Sequence, residues 1–95
     1  MLEITKIRLS RLFSLGSLPK AQALESKNPI AAAFEYAKVP GQEEKAFDLA
    51  YGVAAGDIKV DTLNQSEMDK VVLITNFCYP YLSMEKQAEH PGMLI

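Results

Sequence analysis

The stretch Thr62-Leu63-Asn64-Gln65-Ser66-Glu67-Met68-Asp69-Lys70-Val71-Val72-Leu73-Ile74-Thr75-Asn76-Phe77-Cys78-Tyr79 decides the fold class. Its centre, Val71-Val72-Leu73-Ile74, is apolar in every direction, and Phe77 and Cys78 continue that character. A short β-branched run of this kind reads either as a buried strand from Lys70 to Cys78 or as a helix enclosed by others. What precedes it favours the helix. Thr62 and Gln65 have capping-box spacing, in which the threonine oxygen accepts from an early helical N–H and the glutamine reaches back. Polar first turns follow, so the spacing predicts a helix from Leu63 to about Tyr79, greasy all round and therefore surrounded. Tyr79-Pro80-Tyr81 then breaks the chain, and a proline between two aromatics raises the expectation of a cis bond.

Upstream the signals agree with a helical class. Asn28 is a good N-cap, Pro29 fits a first helical position where no N–H is needed, and Ile30, Ala33, Phe34 and Ala37 repeat at helical spacing. Pro40 disfavours helical geometry at Val39, so this helix stops near Lys38. Gln42 to Ala55 reads as the next helix, with Glu43 and Glu44 at its positive N-terminal end and Gly56 as its C-terminal cap. Gly52 inside it implies an earlier end at Tyr51 or a close crossing by another helix.

The N-terminal stretch from Leu2 to Leu15 is ambiguous. Leu2/Ile4 and Ile7/Leu9 alternate as in a strand, with a slip between the pairs, while on a helical wheel the apolar residues scatter. Strand and helix both stay open there, and Gly16 and Pro19 end the element either way. The expectation is thus a mainly α, small single-domain bundle of three to four helices over residues 1–95, with a short N-terminal β-strand as the variant. A basic and apolar segment spans 1–19, a helical core 28–79 and a tail 83–95.

Ninety-five residues suit one small domain. Its apolar share of 48% is high for so small a body, and much of it is alanine, which suits closely approaching helices. An oligomer interface or a partner would absorb the surplus. Charge is lopsided: residues 1–40 hold six Lys/Arg against three Asp/Glu, and residues 41–95 hold four against nine. Both arginines, Arg8 and Arg11, fall in the first dozen residues, where they suit an acidic protein, a lipid headgroup or the acidic half of another copy.

The chemistry-bearing residues are few. One cysteine, Cys78, excludes an internal disulfide, and with one histidine, His90, it cannot make a zinc site of ordinary composition. Asp57, Lys59 and Asp61 alternate like the start of a calcium loop but lack its glycine and distal glutamate. A Cys78/His90 dyad is the one histidine-based nucleophile pair, yet Cys78 lies in the greasiest segment, where burial suppresses the thiolate. No phosphate-loop glycine spacing occurs. We expect no catalytic constellation, no metal and no cofactor.

A helix-turn-helix layout around Gly56 is imitated, but the would-be recognition element, from about Asp57 to Asp69, carries Asp57, Asp61, Glu67 and Asp69 against Lys59 alone, and phosphate contacts need cations. Nucleic-acid binding therefore rests on a basic N-terminal arm alone. Lys6, Arg8 and Arg11 ahead of a short apolar run imitate a secretory signal, but Ser and Gly interrupt the run and Lys20 sits beside the apparent cleavage box. Nothing approaches the roughly 20 apolar residues that span a bilayer, so a cytoplasmic protein is the default expectation. Membrane-surface contact stays open.

Two stretches stand out as interaction surfaces: Arg8, Arg11, Leu12 and Phe13 near the N-terminus, and Met93, Leu94 and Ile95 at the other end. The functional expectation is a non-enzymatic protein–protein interaction or assembly module, an adaptor, inhibitor or small subunit that binds itself or another protein. Small accessory proteins of phages and mobile elements often share this profile. The alternative is a nucleic-acid-associated regulator using the basic N-terminal segment.

Overall fold

The computed structural model describes residues 2–61 and 63–90, with side chains from Ile4 onward. Among these it is mainly helical and has no strand: α1 is Leu2–Leu12, α2 Leu18–Leu24, α3 Pro29–Ala37, α4 Glu43–Ala55, α5 Gln65–Cys78 and α6 Met84–Ala88. A single 3-10 turn, Tyr79–Tyr81, joins α5 to the last segment. Six helices replace the expected three to four because two short stretches read as punctuation or tail are helical turns.

The first of these is α2. Ser17 caps it, its side chain accepting from the Lys20 N–H at 3.3 Å, and Pro19 lies in its first turn. Pro19 therefore opens a helix as well as closing what came before, as a ring with no N–H to satisfy can do. The second is α6, capped by Ser83 and tied down through Gln87, whose Nε2 donates to the Tyr79 and Leu82 carbonyls. Tyr79 returns the contact by donating from its hydroxyl to the Gln87 carbonyl at 2.9 Å. Residues 83–90 are thus structured and not a loose polar tail.

The ambiguity at the N-terminus resolves as a helix. A lone strand would leave its N–H and C=O groups unpaired, whereas a helix satisfies them internally. Among its described apolar side chains only Ile7 is fully buried; Leu9 and Leu12 stay exposed, which is why the sequence shows no clean stripe. At its end Ser14 adopts a left-handed conformation, φ 56°, and the N–H of Leu15 donates to the Ser10 carbonyl at 2.8 Å. This is a Schellman closure with serine where glycine is usual.

The core lies between α3, α4 and α5. Ala32, Ala33 and Ala37 of α3 and Ala46 and Ala50 of α4 are all fully buried in one core with Phe47, and small side chains of this kind let the two contacting helices approach closely. Asn28 caps α3 through the Ala31 N–H, and Gly56, φ 85°, closes α4 in the left-handed conformation; both match the sequence reading. Gly52 is the site of a close approach, although not by a helix: a Cβ there would lie 2.7 Å from Cδ1 of Ile58, in the loop after α4. Gly16 is tighter still, since its Cβ would stand 2.7 Å from the Lys38 carbonyl oxygen.

Three details of the deciding stretch differ from expectation. The cap is Asn64, which accepts from the Glu67 N–H at 2.9 Å while Glu67 reaches back to the Asn64 N–H. Gln65 is the first helical residue and bonds Asp69 instead; Thr62 lies outside the described residues. The Tyr79–Pro80 bond is trans, because the 3-10 turn continues the helical direction of α5 without a reversal. Lastly, α5 is not enclosed on all sides. Val71 and Ile74 are fully buried, but Val72 is 49% exposed, and the side it leaves open carries the site described next.

Candidate interaction groove

Along that open side of α5, α1 lies as the opposite wall of a groove of about 1010 Å³. Ile4, Arg8, Arg11 and Leu12 line it from α1, and Asp69, Val72, Leu73, Asn76 and Phe77 from α5. Pro40 and the Pro80-Tyr81 turn complete it. The lining is predominantly apolar, with Leu12, Val72 and Tyr81 exposed. Just beyond Leu12, Phe13 and Leu15 protrude, so four of the large exposed apolar side chains of the described residues fall between Leu9 and Leu15. Scattered exposed apolar residues are ordinary in a small protein; a contiguous set around a groove marks a contact surface.

Arg11 fixes the position of α1. Its guanidinium pairs with the Glu43 carboxylate at 2.6 Å and donates to the Ala37 carbonyl at 2.9 Å. It also stands 4.9 Å from the Tyr81 ring centre and 5.6 Å from that of Phe77, a cation–π geometry. One side chain thereby joins α1 to the end of α3, the start of α4 and the turn after α5. Burial alone would raise the Glu43 pKa, but hydrogen bonds from Arg11 and from its own and the Gly41 N–H outweigh it and hold the carboxyl below its ordinary value.

Of the residues marked in the sequence, Arg8, Arg11 and Leu12 come together in the groove, while Phe13 is exposed but does not line it. Arg11 is engaged within the fold. Arg8 is exposed and, among the described residues, in no ion pair or hydrogen bond. Met93, Leu94 and Ile95 lie outside the described residues. Sequence reading missed the α5 wall, Val72, Leu73 and Phe77, because it assigned the whole run to the interior.

Cys78 and His90 have separate surroundings. Cys78 is fully buried, and burial, with the Glu43 carboxylate adding to it and Arg11 opposing, pushes its thiol up to about 12. It is a neutral thiol at physiological pH. His90 packs its ring against Tyr51 and the buried Phe47 of α4, with centres 4.4 and 5.1 Å apart. Aromatic contact, not a polar tail, is therefore its setting. Among the described residues no group of three His, Cys, Asp or Glu side chains converges to hold a metal ion, and no helix is long and apolar enough to cross a membrane.

No protein-family model, curated protein or solved structure matches the chain.

Proposed function

We propose that this chain is a non-enzymatic protein–protein interaction or assembly module whose recognition surface is the groove between α1 and α5. The observation that carries this reading is the exposure of Leu12, Val72 and Tyr81 together around one depression of about 1010 Å³. A small domain gains stability by hiding such side chains, so leaving them outside is explained by a partner that covers them. The groove is open, and its lining combines a majority of apolar side chains with Arg8, Arg11 and Asp69, a mixture that suits a protein contact surface.

The alternative, a nucleic-acid regulator, has less support. Arg11 is consumed by Glu43 and Ala37, which leaves Lys6 and Arg8 on α1, and the facing wall carries the acidic Asp69. Too few free cations remain on this face to neutralise a run of phosphates.

Cross-linking in the native host, followed by mass spectrometry, tests the proposal. Cross-links from the wild-type chain, to itself or to another protein, are expected to map to α1 and α5 and to disappear in Val72→Glu, an exposed substitution that keeps the helical content. Cross-links that map elsewhere, or that survive Val72→Glu, overturn the reading.

A further inference from the structure

We infer that the groove is occupied by a second copy of this chain, in a two-fold dimer that seats the α1–α5 face of each copy on that of the other. This inference rests on the interaction reading above and commits it to one partner. Its first support is charge. The two walls carry opposite charges, Arg8 on α1 and Asp69 on α5. A two-fold axis running along the groove exchanges its walls, so it brings Arg8 of each copy toward Asp69 of the other. An isologous interface requires self-complementarity of this kind. Within one chain the groove separates the two side chains, and neither forms an ion pair among the described residues. Arg8 has no polar partner there, and Asp69 accepts through one oxygen, from Gln65 at 2.8 Å.

The second support is apolar area. Leu12, 72% exposed at the end of α1, and Val72, Leu73 and Phe77 of α5 line opposite walls of the groove. The same two-fold rotation lays the α1 wall of one copy on the α5 wall of the other, so that both apolar walls are covered at once. Arg11 is already paired with Glu43, so it would bring no unpaired charge to the contact.

Sedimentation equilibrium of the purified full chain over a wide concentration range, with charge-reversal variants, provides the test. The wild type is expected to form a dimer. Arg8→Asp and Asp69→Arg each place two like-charge pairs across the interface and should weaken the dimer roughly tenfold or more, and the double reversal should restore it to within about threefold of wild type. Circular dichroism separates lost contact from lost fold, since both positions are exposed and neither substitution should change helicity. A wild type that stays monomeric throughout, or a double reversal no tighter than the singles, overturns the second-copy inference. A monomer that sediments with phosphatidylserine vesicles also overturns it, in favour of a lipid surface. The interaction reading fails separately, when Val72→Glu leaves the host cross-links intact.

Discussion

The α3–α4–α5 core and the α1 helix are held by different forces. In the core, Ala32, Ala33, Ala37, Ala46 and Ala50 are fully buried and bring two backbones together around Phe47, Val71 and Ile74. Side chains with little or no rotamer freedom are ordered there at small entropic cost, and dispersion contacts accumulate over a large area. In α1, by contrast, one apolar side chain with described packing, Ile7, is fully buried, and the Arg11 cluster adds a polar attachment. The difference teaches that a helix can belong to a fold while keeping much of its apolar surface outside. The core supplies stability; α1 uses a small share of it to present Leu12 and Phe13.

The contrast is broken or sharpened by substitutions of graded effect. Phe47→Ala empties the centre of the core and should cost about 3–5 kcal/mol, seen as a cooperative loss of the whole bundle in thermal unfolding; a drop confined to one helix would contradict a single shared core. Ile7→Ala should cost about 2–4 kcal/mol, the usual range for truncating a buried aliphatic. Its signature is local: α1 amides should exchange faster in hydrogen-exchange measurements while α3 and α4 amides keep their protection. Equal acceleration everywhere would show that α1 is not a separable unit.

Arg11→Ala leaves the Glu43 carboxylate half-buried and unpaired, and should cost about 2 kcal/mol at pH 7. Its pH dependence has a definite sign. Because Glu43 is held below its ordinary value, its stabilising contribution is complete above about pH 4.5 and is lost as the pH falls through the folded-state value. The gap between wild type and Arg11→Ala should therefore narrow between pH 5 and the acid limit in urea unfolding; a gap of constant size would place the Arg11 contribution in its ring and carbonyl contacts alone. Smallest is the pair of glycines. Gly16→Ala drives a methyl into the Lys38 carbonyl and should cost about 1–3 kcal/mol, whereas Gly52→Ala meets the movable end of Ile58, gains helix propensity, and should stay within about 1 kcal/mol of wild type. Equal melting temperatures for the two would remove the backbone contact that fixes the link between α1 and α2.

Several of these features were legible beforehand. Asn28-Pro29 marked the start of α3, and Gly56 marked the end of α4, since caps and left-handed turns depend on residues a few positions apart. Arg8, Arg11, Leu12 and Phe13 were marked as a surface by their placement in the chain, and three of them line the groove. The α5 wall was not legible, because Val71-Val72-Leu73-Ile74 has no polar residue to show which side is left uncovered. His90 was likewise read as tail, for its contacts with Phe47 and Tyr51 lie about 40 residues away in sequence.

By itself, then, the sequence determined the helical class, the caps and breaks that delimit α3 and α4, the lopsided charge and the scarcity of reactive side chains. All are local or compositional properties, set by backbone sterics and by which residues are present. Tertiary structure alone decided that residues 2–12 are helical, that one side of α5 stays open, and that Arg11 is spent on Glu43 while Arg8 has no ion pair among the described residues. Those outcomes depend on which surfaces meet across gaps of 30 residues or more, where packing and desolvation act between groups that no local pattern connects.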